Sequence, residues 1–124
     1  MTKEDKELLL KDLCARLLYG VKAHIINDGF YDVRDPYDTL LSIPNHHLVI
    51  DLYTDNGLII QPYLRSISSM TEEEENEYRA INCYEGLFPN NEDALDYVLK
   101  YHLDYRGLIE KGLALEAPEG MYKK

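Results

Sequence analysis

One stretch in the first half of the chain limits the possible folds most. Residues 46–64, HHLVIDLYTDNGLIIQPYL, contain a first run in which Leu48, Ile50 and Leu52 alternate as in a strand, and a second, apolar and β-branched run, Leu58-Ile59-Ile60. Asn56-Gly57 lies between them and predicts a two-residue turn, because a type I′ turn needs positive φ at both central residues. Pro62 cannot donate a hydrogen bond to a neighbouring strand, so the second strand should end there or lie at a sheet edge. The stretch therefore predicts a β-hairpin at the centre of a small sheet.

The chain around this hairpin predicts an α+β fold. Short alternating runs separated by turn residues place further strands within residues 19–64. No crossover helix separates these runs, so we expect the strands to pair antiparallel. The expected architecture is an antiparallel meander of four to five short strands, curled or barrel-like, with three to four helices packed on it. A length of 124 residues corresponds to one domain, residues 1–124.

A first helix is predicted before the strands, over residues 2–18. Thr2 is a suitable N-cap, because its side-chain oxygen can accept a hydrogen bond from the first turn. The apolar positions that follow have helical spacing and indicate a face that packs on the sheet. They are Leu9, Leu13 and Leu17, with Leu10 and Cys14 beside them.

Three further helices are predicted after the strands, over residues 72–84, 91–102 and 105–113. Thr71 followed by Glu74 is the pattern of a capping box at the start of the first of these. Asn91 is a suitable cap for the second. Gly107 and Gly112 weaken the last, since each costs about 1 kcal/mol relative to alanine inside a helix.

The cysteines and the two ends of the sequence bear on the compartment. Cys14 and Cys83 fall within predicted helices, and we expect both to be buried as small hydrophobic side chains. The first residues, MTKEDKE, are charged and do not resemble a secretory signal, and no apolar run is long enough to span a membrane. We therefore expect a cytoplasmic protein without a disulfide. The tail, residues 119–124, is expected to fray.

The negative charge of the chain is concentrated in one region. The net charge of the whole sequence is −10, and residues 71–104 alone contain ten acidic and two basic residues, a net charge of −8. Such a surface repels phosphate, which argues against direct binding of nucleic acid. A basic protein is the partner that it would attract.

The leading functional hypothesis is a non-enzymatic accessory protein that binds another protein through this acidic helical region. A narrower alternative is a mimic of nucleic acid that inhibits a DNA-binding host factor, since tyrosines are interleaved with the acids. A third alternative is a small enzyme whose site the sequence does not reveal. The candidate protein-binding residues are Glu72, Glu73, Glu74, Glu77, Tyr78, Asp93, Asp96 and Tyr97.

Other candidate sites are weaker. His46 and His47 are adjacent in a predicted strand and would point to opposite faces, so we expect no metal site there and no cofactor. Neither cysteine lies at a helix N-terminus that would activate it as a nucleophile. Arg106 could bind a carboxylate or phosphate. We favour a structural role in which Arg106 pairs with Asp104 (the cap of the last predicted helix), with Glu110 or with the acidic helix 72–84.

Three strings of the sequence resemble a known group of proteins. They are LLLKDLCARL (8–17), PYLRSISSMTEEE (62–74) and DYRGLIEKGLALEAPEGMY (104–122). These strings are similar to segments of small uncharacterised proteins from gut Bacteroidales bacteria and their phages. The resemblance covers the first helix, the exit from the strands and the C-terminal region. It implies a bacterial or phage cytoplasmic origin and assigns no catalytic residue.

Overall fold

The computed structural model describes residues 2–27, 37–46, 49, 58–82 and 88–122. Within them the chain forms three α-helices with defined bounds and a four-stranded mixed sheet, which confirms the α+β class. The α-helices and strands in chain order are α1 (Lys3–Arg16), β1 (Val21–Asn27), β2 (Tyr37–Leu41), β3 (Leu58–Leu64), α2 (Glu72–Ile81), α3 (Glu92–Lys100) and β4 (Leu115–Glu116). Two short 3₁₀ turns cover Ile43–Asn45 and Ile67–Ser69. None of the described helices is long and apolar enough to cross a membrane.

The sheet has the strand order β2-β1-β3-β4 and is not closed. Strand β1 is antiparallel to both of its neighbours, β2 and β3, whereas β4 is parallel to β3. The predicted meander and barrel are therefore not confirmed. The physical reason is the position of β4 in the chain, because it follows two helices that form a crossover long enough to return it in the parallel direction.

The predicted hairpin lies only partly within the described residues. Its Asn56-Gly57 turn and most of its first strand fall outside them, but Val49 is described and is helical and buried, which contradicts a strand at that position. The second strand is β3, and it continues through Pro62 to Leu64. Pro62 is paired with Ala23 on one side, while β4 pairs only with Tyr63 and Leu64 on the other. A missing N–H is tolerated at Pro62 because β3 has a partner on only one side there.

Helix α1 packs on the sheet through a face that contains charged residues. Leu9, Asp12, Leu13 and Arg16 are the buried residues of this helix, and their spacing places them on one side. Leu9 and Leu13 join the main hydrophobic core as predicted. Cys14 is exposed, so the prediction that it is buried was wrong. Asp12 and Arg16 occupy part of the packed face to which the sequence pattern had assigned Cys14.

Helices α2 and α3 share a second apolar cluster with Leu103. Both helices end earlier than predicted, α2 at Ile81 and α3 at Lys100. His102 has a φ of 61°, and a left-handed backbone at this position ends the helix.

The last predicted helix, 105–113, is a series of hydrogen-bonded turns. Asp104 accepts hydrogen bonds from the backbone N–H groups of Leu108 and Ile109, which lie four and five residues on, whereas an N-cap binds the N–H groups two or three residues on. Gly107 and Gly112 have φ values of 72° and 75°, which do not fit a right-handed helix. Within this described segment, neither the predicted N-cap nor the predicted regular helix forms.

Candidate functional site

The N-terminus of α2 is fixed by Glu74. Thr71 Oγ1 accepts a hydrogen bond from the Glu74 N–H at 3.2 Å, and Glu74 Oε1 accepts one from the Thr71 N–H at 3.0 Å. This reciprocal pair is the predicted capping box. Arg65 then binds the same carboxylate through both of its terminal nitrogens, at 2.7 and 2.9 Å. The hydrogen bonds that Arg65 donates to Glu74 are the main reason that the pKa of Arg65 is raised.

Glu74 was a candidate for partner binding, but its side chain is only 3% exposed and that of Arg65 is 19% exposed. Because a partly buried ion pair needs both members, the main role of Glu74 is structural. The backbone of Arg65 is fixed as well, because its N–H donates to His102 O and its carbonyl accepts from the Asp104 N–H. Arg65 therefore joins the end of β3 to the start of α2 and to the segment after α3.

The two candidate tyrosines are inside the protein. Tyr78 is fully buried and Tyr97 nearly so, and their ring centroids are 5.7 Å apart. The Tyr97 hydroxyl donates to Glu77 Oε2 at 3.0 Å and to the Glu74 carbonyl at 3.2 Å. Burial raises the pKa of Tyr78 and is the largest cause of the raised pKa of Tyr97, ahead of the hydrogen bond to Glu77. These rings pack α2 against α3.

Four of the remaining candidate residues are exposed to solvent, unlike Glu74, Tyr78 and Tyr97. Glu72, Glu73, Asp93 and Asp96 are exposed, and among the described residues no side chain forms an ion pair or hydrogen bond with their carboxylates. Glu77 is also exposed, although it accepts the bond from Tyr97. We call these five residues the acidic face. The structure thus divides the predicted set into an exposed acidic face and three buried residues that support it.

A buried ionic network that the sequence analysis missed lies behind α1. Asp12 and Arg16 are both fully buried, and Arg16 Nε donates to Asp12 Oδ2 at 2.7 Å. Arg106 Nε donates to Asp12 Oδ1 at 3.2 Å, so the predicted partners of Arg106 (Asp104, Glu110 and the acidic helix) were wrong. Arg16 also donates to the Leu103 carbonyl at 2.8 Å. The available signal was the four-residue spacing of Asp12 and Arg16 on the same side of α1 as Leu9 and Leu13.

A cleft of about 690 Å³ lies next to the N-terminus of α2. Its lining comes from the chain after β3 and from the C-terminal segment after β4. The lining residues are Arg65, Ser66, Ser69, Thr71, Glu73, Glu74, Glu116, Ala117, Pro118, Glu119, Gly120 and Tyr122. Four of them are acidic and only Arg65 is basic. Since Arg65 is bound to Glu74, the described lining offers no other cation to the carboxylates of Glu73, Glu116 and Glu119.

The C-terminal wall of the cleft is anchored by Tyr122. Its hydroxyl donates to the Tyr63 carbonyl at 2.7 Å and accepts from the Lys22 N–H at 2.9 Å. Its ring stacks on His102 with centroids 3.7 Å apart. Burial raises the pKa of Tyr122 to about 12. The prediction of a tail that frays from residue 119 was therefore wrong as far as Tyr122, and residues 123–124 lie outside the described chain.

The hydroxyl groups of the cleft have structural hydrogen bonds. Ser69 Oγ donates to the Ser66 carbonyl at 2.6 Å, and Thr71 Oγ1 accepts from the N–H of Glu74. None of the described residues of the lining is a cysteine or a histidine. These contacts cap and close turns, so the lining offers no hydroxyl paired with a histidine base.

The described histidines have local contacts. His46 Nδ1 lies 2.8 Å from the Ile43 carbonyl oxygen, and His24 Nδ1 lies 2.8 Å from Asp38 Oδ1. The hydrogen bond from His24, followed by one from Tyr63, lowers the pKa of Asp38. His47 lies outside the described chain. Within the described part, no group of three histidine, cysteine or acidic side chains is arranged to hold a metal ion.

The fold and the site together define an α+β protein with an acidic helical face and an adjacent acidic cleft. No protein-family model, no curated protein and no solved structure matches the chain.

Proposed function

We propose that this chain is a small non-enzymatic accessory protein that binds a basic protein through the acidic face. The observation that supports the proposal is that some acidic residues of α2 and α3 form ion pairs within the chain and others do not. Glu74 and Glu75 pair with arginines of the same chain, whereas Glu72, Glu73, Asp93 and Asp96 have no such partner among the described residues. Several exposed carboxylates of α2 and α3 therefore form no ion pair with the described part of the chain.

Electrostatics favours a basic partner for such a face. Exposed like charges at helical spacing repel one another. Capping explains part of the charge, because carboxylates in the first turn are stabilised by the helix dipole. Asp96 lies beyond the first turn of α3 and gains little from it. A basic surface brought against the face would relieve the repulsion and would speed association.

The resemblance of the chain to small proteins of gut Bacteroidales bacteria and their phages supports the cellular compartment that we propose. It indicates a bacterial or phage origin, and we propose the bacterial cytoplasm as the compartment. The partner would then be a protein of the same cell, or of the host in the case of a phage protein.

The nucleic-acid mimic is a narrower form of the same proposal, and the described structure gives it less support. It relied on tyrosines alternating with acids, but Tyr78 and Tyr97 are buried. Of the other tyrosines in this pattern, Tyr101 is half-buried and Tyr84 lies outside the described residues, so the mimic depends mainly on the carboxylates. The cleft is large enough to favour the enzyme alternative. The hydroxyl groups of Ser69 and Thr71 in that cleft, however, already form hydrogen bonds in a turn and a helix cap.

The test is capture of partners from a lysate of a gut Bacteroidales bacterium, at about 50 and 500 mM salt. Wild type is compared with E72K/D93K/D96K, which reverses three exposed acids and leaves Glu74 in place to preserve the ion pair with Arg65. The matched control is E4K/E7K/E110K, which makes the same change in net charge at exposed positions elsewhere. We expect a basic protein that wild type and the control retain at low salt, that high salt releases, and that the α2–α3 variant loses.

Two outcomes would contradict the proposal. Retention of the same proteins by all three forms, without an effect of salt, would leave the acidic face with a role in solubility alone. Equal losses in both variants would assign the effect to net charge and not to this face. Displacement of the captured protein by duplex DNA would identify the narrower mimic.

A further inference from the structure

We propose that the cleft beside α2 receives an arginine side chain of the basic partner. This inference rests on the proposed function and names the chemistry that the partner brings. The size of the cleft is suitable, since about 690 Å³ lies within the range of roughly 300–1,000 Å³ that is typical of binding pockets.

The charge of the lining selects a cation. Glu73, Glu116 and Glu119 contribute carboxylates from two different segments. Arg65, the one basic residue among the described residues of the lining, is bound to Glu74. An anionic ligand would meet three like charges here, whereas a cation would be attracted by all three. Glu73 lines the cleft and also belongs to the acidic face, so the two surfaces meet at this residue.

The guanidinium group fits this lining better than an ammonium group. Arginine presents five N–H donors in a planar fork, so it can bind more than one carboxylate at once. Lysine is a more compact and more strongly hydrated charge, and it would lose more hydration on entering the cleft. The lining already holds one bidentate pair, in which the two terminal nitrogens of Arg65 bind the two oxygens of the single Glu74 carboxylate.

The walls are held in place before any ligand enters. Ala117 N donates to the Leu64 carbonyl, and Tyr122 binds the backbone of Tyr63 and Lys22. The opposite wall is held by the capping box at Thr71. A preformed site loses little conformational entropy when a side chain enters it.

The experiment is an NMR titration of the ¹⁵N-labelled full chain with acetyl-Gly-Arg-Gly-amide. The matched probe is acetyl-Gly-citrulline-Gly-amide, which has nearly the same shape and no charge. We expect saturable shifts of backbone amides that line the cleft, such as those of Ser66, Thr71, Glu116 and Gly120, with the arginine peptide only. We expect E73Q/E116Q/E119Q to bind it at least tenfold more weakly and E4Q/E7Q/E110Q to bind it like wild type.

Three results would overturn the inference: no shifts, equal shifts with both peptides, or shifts spread over every acidic region and equally reduced by both variants. A ¹⁵N spectrum of each variant without peptide verifies that it is folded. Glutamine at these positions keeps the side-chain shape and removes only the charge.

Protein capture with the same variants separates this inference from the proposed function. A salt-sensitive basic partner that E73Q/E116Q/E119Q binds as tightly as wild type does would overturn the cleft and leave the proposed function intact. Arginine binding in the cleft without any basic protein partner would support the cleft as a guanidinium site and overturn the proposed function.

Discussion

Asp12 illustrates how one buried residue connects distant parts of this chain. It accepts hydrogen bonds from Arg16 on its own helix and from Arg106 near the other end of the sequence. Arg16 continues the network to the Leu103 carbonyl. Asp12 and Arg16 are fully buried, so neither can regain water if its partner is removed.

We predict that Asp12→Ala lowers the free energy of unfolding by roughly 3–5 kcal/mol, because it leaves the Arg16 charge buried and unpaired. Chemical denaturation measures the change, with Glu7→Ala at an exposed position of the same helix as a control. The double change D12L/R16L should cost less than Asp12→Ala alone, since it removes both charges. A loss below about 1 kcal/mol for Asp12→Ala would show that the network contributes little.

His102 gives a prediction about pH. Burial is the main cause that lowers its pKa from 6.5 to about 4, and the charges of Arg16, Arg65 and Lys22 add to it. Between these two pH values the unfolded chain binds a proton that the folded chain does not. Stability should therefore fall as the pH is lowered from about 6.5 to about 4.

The variant His102→Asn isolates this contribution, because asparagine does not titrate and tolerates positive φ. Unfolding midpoints measured between pH 4 and pH 7 should fall less steeply for the variant than for wild type. Parallel pH profiles for the two proteins would show that His102 is not protonated on unfolding in this range.

At the scale of the elements, the N-terminus of α2 is stabilised by hydrogen bonds between residues close in the sequence. Thr71 is exposed and caps α2, while Glu74 caps α2 and also binds Arg65. We predict a loss of about 1 kcal/mol for Thr71→Ala and of roughly 3–5 kcal/mol for Glu74→Ala, which also breaks a partly buried ion pair. Urea denaturation of the two variants tests this order. Equal losses would mean that the ion pair with Arg65 adds nothing to the cap.

Leu13 tests the packing of α1 on the sheet. It is fully buried in the main core, and Leu13→Ala should cost roughly 2–5 kcal/mol. Leu18 is the matched control, since it is 72% exposed just beyond the same helix. A similar small effect at both positions would mean that the packed face of α1 has been assigned to the wrong side.

The caps at Thr2, Thr71 and Asn91 could be predicted from the sequence because each involves residues three apart. Helix ends were harder to predict. His102, whose left-handed backbone follows α3, contacts residues distant in the sequence, since its ring stacks on Tyr122 and its carbonyl accepts from the Arg65 N–H. The parallel pairing of β4 with β3 joins segments about fifty residues apart, and no local pattern encodes it. Asp104 shows the limit most clearly, because its carboxylate binds the N–H groups of Leu108 and Ile109 in a turn and not those of a helix N-terminus.

The candidate site was predictable only in outline. The charge count located the acids in residues 71–104, but it did not separate Glu74, which the fold uses, from Glu73, which it leaves exposed. That distinction depends on Arg65, which reaches Glu74 from the end of β3. The cleft depends on Glu116 and Glu119 as well, and both lie outside the acidic third of the sequence.

At the scale of the whole molecule, we propose that the acidic face binds a basic partner. Exposed charges are screened over about 8–10 Å at ordinary salt, so the affinity of such a contact must depend on ionic strength. Binding to a distant or apolar surface would not show this dependence to the same degree.

The most direct test is the dissociation constant of the purified partner identified by capture, measured at several salt concentrations from about 50 to 500 mM. We predict that binding to wild type weakens at least tenfold over this range. E72K/D93K/D96K should bind at least tenfold more weakly than wild type at low salt, with a flatter dependence, while E4K/E7K/E110K should follow wild type. Equal, salt-independent affinities for all three proteins would contradict the account.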